Sequence, residues 1–146
     1  MQVSDILTTK ARSDEIFSVD PSCLISEAVA KMVEHDIGSI VVRRGTEMVG
    51  LLTERDLLRG MQAKGCDLAK LAVGDIMIAD PIIGNPTDTV DYVRGVMTEN
   101  RISHLPVMEG DKLIGIISFH DVARACMSEA KLENTLLKRY IRHWPE

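Results

Sequence analysis

Sliding the 146-residue sequence by 65 positions lays residues 16–59 over 81–124 without a gap, and this internal repeat limits the possible folds more than any other feature. Identities fall at Pro21/Pro86, Met32/Met97, Glu34/Glu99, Ile37/Ile102, Val42/Val107, Gly45/Gly110, Gly50/Gly115, Asp56/Asp121 and Arg59/Arg124, which is 9 of 44 pairs. Conservative pairs such as Thr53/Ser118, Leu51/Ile116 and Leu57/Val122 strengthen the register. Two glycines, a hydroxyl and an aspartate in one frame are not what chance supplies. The chain is therefore two copies of a small unit, each short of the length at which a lone core is comfortable.

Both copies carry the same pattern. Apolar residues at helical spacing follow the proline: Ile25, Ala28, Val29, Met32 and Val33, then Val90, Val93 and Met97. Two short hydrophobic runs flank a polar, glycine-containing turn, predicting a hairpin over 39–52 and again over 104–117. Pro106 places its strand at an edge or at a strand start. A second helix begins at Thr53 or Ser118. The expected fold is α/β (α+β), two β-α-β-β-α repeats plus a C-terminal helix. The repeats are read as 1–62 and 73–128, joined by a linker over 63–72, with the terminal helix in 129–146. Gly60 and Gly65 read as breakers in the joining segment, residues 60–72. A second echo, Val3–Leu7 against Val73–Met77, runs at an offset of 70. Residues 8–15 then read as an exposed inserted loop.

Composition removes several functions. The net charge of −5 disfavours nucleic acid and anionic lipid as partners. No apolar run approaches the roughly 20 residues of a membrane span, and the first residues lack a signal-peptide layout. Three cysteines without C-x-x-C spacing fit a reducing cytoplasm rather than a disulfide or zinc scaffold. Aromatics are only 3% of the chain, so a row of stacking platforms for single strands is excluded.

Each hairpin ends in the same tetrad, Thr53-Glu54-Arg55-Asp56 and Ser118-Phe119-His120-Asp121. A hydroxyl followed three residues later by an acid is a capping box. The repeated basic residue at the third position is more than a cap needs. A strand-to-helix junction offers N–H donors to an anion, and a carboxylate can accept from two vicinal ribose hydroxyls. Phosphate and ribose held side by side describe a nucleotide.

With these runs, Gly50-Leu51-Leu52-Thr53-Glu54-Arg55-Asp56 and Gly115-Ile116-Ile117-Ser118-Phe119-His120-Asp121, and with Ile102-Ser103-His104-Leu105-Pro106-Val107 before the second hairpin, the chain resembles a tandem pair of cystathionine-β-synthase (CBS) domains, the Bateman module. The resemblance covers about Val3 to Cys126. It implies two repeats packed about a pseudo-twofold axis, with clefts that bind adenosyl ligands: AMP, ADP, ATP, NAD(H) or S-adenosylmethionine. It also implies a homodimer. Carried across, Asp56 and Asp121 would hold ribose hydroxyls beside Thr53 and Ser118, while Arg55 and His120 would face phosphate. The basic pair that precedes the family's hairpin is matched only by Ser103-His104, against Gly38-Ser39 in the first repeat, so the clefts should be unequal. Adenine would insert among Val19, Ile37, Ile83 and Ile102. Leu24 stands where the second repeat has the helix-capping Thr89, with Ser22 or Ser26 as substitutes.

Catalysis has little to build on. Ser118, His120 and Asp121 share one helical turn and cannot form a relay of aimed hydrogen bonds, and no metal-ligand spacing occurs. No cofactor is required. The expected function is a non-catalytic, signal-transducing sensor of adenosyl nucleotides. The alternative is a structural dimerisation module that docks an effector protein through Leu136, Tyr140 and Trp144 on the terminal amphipathic helix.

Overall fold

The computed structural model describes residues 1–10 and 16–142, with side chains through residue 139 in the last helix. The element order is α1 (Val3–Lys10), β1 (Ser18–Val19), α2 (Ile25–Glu34), β2 (Ser39–Arg44), β3 (Glu47–Thr53), α3 (Glu54–Lys64), β4 (Ile78–Ala79), α4 (Val90–Asn100), β5 (His104–Glu109), β6 (Lys112–Ser118) and α5 (Phe119–Arg142). The mixed α+β architecture read from the sequence is the one observed. Both antiparallel hairpins, β2–β3 and β5–β6, turn at a glycine with positive φ, Gly45 and Gly110. Both carry a bulge at equivalent places, Val42/Arg43 and Val107/Met108. β1 pairs parallel with β2 through Val19↔Val42, and a single bridge, Gly84↔Val107, repeats that pairing 65 residues on.

Pro106 lies inside β5 rather than at its start. Its carbonyl accepts from the Gly84 N–H at 2.9 Å, so the side lacking an N–H faces the outer edge of the hairpin.

The 70-residue echo has a structural meaning that the linear reading lacked. Each echoed segment docks not on the repeat it leads into but on the other one. Val73 N–H donates to the Cys23 carbonyl at 2.8 Å and Gly74 N–H to that of Pro21 at 2.8 Å. In the second copy Val3 N–H donates to Asp88 and Ser4 N–H to Pro86, both at 2.9 Å. The two cores follow suit. Val3 and Ile6 of α1 pack with Val90, Val93, Met97, Leu105, Val107, Ile117 and Val122, while Leu68 and Val73 pack with Ile25, Ala28, Met32, Ile40, Val42 and Leu52. The N-terminal helix thus completes the second repeat, and the joining segment completes the first.

This crossing accounts for the repeated glycines. A Cβ on Gly115 would meet Leu7 Cδ2 at 2.5 Å, and one on Gly50 would meet Met77 Sδ at 2.6 Å and the Ile78 carbonyl oxygen at 2.8 Å. The crossing segment lies flat on the strand only where the strand has no side chain.

Several local readings are corrected. Thr8, Thr9 and Lys10 belong to α1 rather than to a loop, and residues 11–15 lie outside the described residues. Gly60 sits within α3, buried against Leu68, and breaks nothing; the helix ends at Gly65, which has positive φ. Val33 is 75% exposed, off the apolar face of α2. No side chain caps α2 at Leu24, whereas Thr89 accepts from the Tyr92 N–H at 3.1 Å. Ser22 instead donates its hydroxyl to Asp20. The terminal helix is not a separate element: α5 runs unbroken from Phe119 past residue 128.

Candidate functional site

Both tetrads fold as caps. Thr53 N–H donates to Asp56 Oδ2 at 2.9 Å, and the Asp56 N–H returns to Thr53 Oγ1 at 3.3 Å. The Thr53 hydroxyl also donates to Asp56 Oδ2 at 2.8 Å, and both residues are buried. Ser118 N–H donates to Asp121 Oδ2 at 2.8 Å and Asp121 N–H to Ser118 Oγ at 3.1 Å. Capping explains the hydroxyl–acid spacing in each copy. It does not explain what surrounds them, and there the two copies differ.

The second tetrad opens on a cleft of about 670 Å³ between the repeats, within the range of small-molecule sites. From the first repeat its wall takes Phe17, the segment from His35 to Ser39, Val41 and Glu54; from the second it takes Leu7, Lys10, His104, Ile114–Ile116, Ser118 and His120. The strand-to-helix junction of one repeat thus faces the helix-to-strand junction of the other. Five residues expected at a site meet here: Ile37, Ser39, His104, Ser118 and His120. Asp121 stands directly behind, joined to the wall by Lys10, whose Nζ lies 2.7 Å from Asp121 Oδ2 and 3.1 Å from the Ile116 carbonyl oxygen.

The remaining expected residues lie elsewhere. Val19 and Ile102 pack into the edges of the two cores, and Ile83 and Ser103 are exposed. Arg55 donates to the Arg101 carbonyl at 3.2 Å. The repeat counterparts of Arg55 and Arg101 are His120 and Asp36, both of which line the cleft. The first tetrad's basic residue is therefore tied to the opposite repeat where the second tetrad's borders open space.

The wall residues that escaped the sequence reading include Lys10, Phe17, His35 and Glu54. Phe17 and His35 stack with ring centroids 3.7 Å apart and planes 15° apart, so one wall is aromatic where aliphatic walls were expected. The only signal for them was that neither ring had been assigned a place in the repeat pattern.

The electrostatics are local. Burial pushes the His104 imidazole below its ordinary value, and the Glu54 carboxylate partly offsets this. His104 Nδ1 is 2.9 Å from Ser103 Oγ, and a Cβ on Gly38 would sit 3.0 Å from its ring and 2.7 Å from Glu54 Oε1. For Asp121, burial acts upward, but hydrogen bonds from Lys10 and Ser118 outweigh it and hold the carboxyl below the usual carboxylate range. Arg124 Nη2 lies 2.9 Å from His120 Nε2; because arginine stays protonated, that nitrogen accepts. Ser118, His120 and Asp121 are therefore engaged in a cap and in a bond to arginine rather than in a nucleophile–base relay. Among the described residues no cluster of His, Cys, Asp and Glu could hold a metal, and no helix is long and apolar enough to cross a membrane.

Comparison with known proteins matches this geometry to a family. The model of the CBS domain matches residues 3–63 and again 73–128. The mitochondrial CBS domain-containing protein CBSX3 of Arabidopsis thaliana is 33% identical over 96% of this chain and 71% of its own length. A CBS-domain-containing protein of Agrobacterium tumefaciens superposes with a TM-score of 0.81 at 32% identity, covering 86% of this chain and 98% of that one. A CBS domain pair solved in complex with 5′-methylthioadenosine and S-adenosyl-L-methionine superposes with a TM-score of 0.74 at 24% identity, covering 88% and 98%; at that identity the likeness is one of fold.

Proposed function

The chain belongs to the CBS-domain family as a tandem pair, and on that premise we propose that it is a non-catalytic regulatory module whose inter-repeat cleft binds an adenosyl ligand. The observation that carries the reading is the cleft itself, a ligand-sized space in which the Ser118–Asp121 junction faces the His35–Ser39 segment of the other repeat. Asp121 receives the ribose hydroxyls, Ser118 and His120 border the phosphate end, and the Phe17–His35 stack offers a face to the purine ring. AMP, ADP, ATP, NAD(H) and S-adenosylmethionine all present the adenosine that these groups would read. The counterpart junction, with Thr53, Arg55 and Asp56, is the weaker site because Arg55 already bridges to Arg101. The existence of a fold relative in complex with two adenosyl compounds supports the class of ligand. Binding would favour one arrangement of the repeats or of a homodimer by no more than the ligand's differential affinity for the two states. Three unpaired cysteines suit a reducing compartment such as the cytoplasm.

Thermal unfolding with a panel of these ligands tests the reading. Ligand at 100 times its Kd adds about 2.7 kcal/mol, which at roughly 3 °C per kcal/mol raises the midpoint by about 8 °C. Asp121→Ala should remove the rise. A panel that moves nothing, or a rise that survives Asp121→Ala, refutes it. A second reading has its own observation: Leu132, Leu136 and Leu137 are exposed on α5, as a helix that docks a partner or a second copy would require. Tyr140 and Trp144, which would extend that face, lie outside the described side chains. A midpoint that rises with protein concentration but never with ligand would favour it.

A further inference from the structure

The face that α5 buries in the second core does not end with the core. Val122 and Ala125 are buried there and Glu129 is half-buried. The same line then emerges bare at Leu132 and Leu136, which are 60% and 53% exposed. From Ala130 to Arg139 every side chain of the helix is exposed. A helix end of that length has little stability of its own in water, and an apolar stripe along it invites a contact.

The order of residues along the stripe names the partner. Glu129, Leu132, Leu136 and Arg139 follow one another at spacings of three, four and three, so they share one face of the helix. They are also symmetric about position 134, with a leucine two residues to either side and an acid and a base five residues to either side. Reversing the helix therefore lays leucine on leucine and base on acid. We propose that the end of α5 pairs antiparallel with α5 of a second copy, Leu132 against the partner's Leu136 and Glu129 against the partner's Arg139.

The inference rests on the docking reading of α5, not on the adenosyl reading of the cleft. A twofold contact needs a surface that is its own complement, and a stripe built for a foreign helix need not be one. A parallel pair would set acid against acid and base against base. Glu129 already holds the N-terminal ammonium at 3.3 Å through Oε1, yet its side chain is 42% exposed, so a guanidinium can reach the carboxylate without displacing that pair. A contact limited to about three turns of helix covers less than the roughly 1,200 Å² of stable complexes, so the pair forms and separates with concentration.

Sedimentation equilibrium of the full chain over a wide concentration range tests this, with far-UV circular dichroism to show that each variant is folded. The wild type should pass from monomer to dimer, and Leu132→Asp should abolish the dimer. Arg139→Glu sets acid against acid twice and should weaken association about tenfold, whereas Glu129→Arg/Arg139→Glu restores both pairs and should return it to within about threefold of the wild type. The loss on Arg139→Glu alone separates the two orientations, since a parallel pair would only exchange one like-charge contact for another. Leu137→Asp, one position off the stripe, should change association by less than about twofold. A wild type that stays monomeric throughout, leaving the stripe to a different protein, overturns the inference. So does a dimer that survives Leu132→Asp, an Arg139→Glu chain that associates as well as the wild type, or equal sensitivity to Leu137→Asp. The cleft is judged separately, by the rise in thermal midpoint with ligand on the same variants.

Discussion

If the paired glycines exist to let the crossing segments lie on the strands, alanine at each should destabilise by an amount set by what its methyl meets. Neither glycine has positive φ, so the effect is steric rather than conformational. At Gly115 the obstacle is the tip of a half-buried side chain, Leu7 Cδ2 at 2.5 Å, which can turn away. Overpacking by one methyl costs about 1–3 kcal/mol, and the lower end applies here. At Gly50 the methyl also meets the Ile78 carbonyl oxygen at 2.8 Å, in β4, which is bonded to β3 at Gly50↔Ala79 and Leu51↔Ile78. Backbone cannot swing aside without breaking that pairing, so the upper end applies. Stiffening of the unfolded chain returns about 0.4–1 kcal/mol in both cases. The net expectation is about 0.5 kcal/mol for Gly115→Ala and about 2 kcal/mol for Gly50→Ala, read by urea denaturation. The diagnostic is a cycle with Leu7→Ala: adding Gly115→Ala in that background should cost nothing or stabilise, a coupling of about 0.5–1 kcal/mol. Strict additivity, or a Gly50→Ala no more harmful than Gly115→Ala, would refute the steric account.

Two further outcomes follow from the caps and the cleft. Thr53→Ala should cost about 1–2 kcal/mol in urea, because its hydroxyl is buried and serves both the Asp56 N–H and carboxylate, while the half-exposed Ser118→Ala should cost about 0.5–1 kcal/mol. For pH, burial depresses the folded-state value of His104, so the unfolded chain takes up the proton first as pH falls. Its contribution is whole above about pH 6.5 and is lost as pH drops from there through the folded-state value, so the thermal midpoint should fall between pH 6.5 and 5 and fall less in His104→Gln.

The elements were legible because each is written in local pattern. Helical spacing marked α2 and α4, glycine turns marked the hairpins, and the S/T-x-x-D runs marked two caps that the structure forms. The family was legible for the same reason, since its motif lies in seven contiguous residues. The walls of the cleft were not. Lys10 and Leu7 reach β6 only because α1 docks on the repeat farther along the chain, and no local period encodes that crossing. Glu54 belongs to the first tetrad but faces the second repeat's His104. Phe17 was one of five aromatics, and the small total drew attention away from where the ring sits. Gly60 misled because a glycine inside a helix reads as a stop until Leu68 is seen packed against it.

The inequality of the two junctions then reduces to a few coupled positions rather than to general divergence. The pre-hairpin pair is Gly38-Ser39 in one copy and Ser103-His104 in the other, and the two differences meet in space. The His104 ring lies 3.0 Å and Glu54 Oε1 2.7 Å from where a Cβ on Gly38 would be, so a serine at 38, matching Ser103, would require these side chains to shift. The His104 imidazole is thereby half-buried in the middle of the molecule, next to Glu54. On the far side Arg55 spans to the Arg101 carbonyl, while on the near side the shorter His120 turns to Arg124 and leaves space opposite Asp36. In the 70-residue echo Asp80 takes the position of Lys10, which adds the charge difference. A duplicated unit with equivalent backbone bonds thus concentrates its titratable and cationic groups around one junction and bridges the other. That division is what a module needs if one ligand is to change the relation between two otherwise equivalent halves.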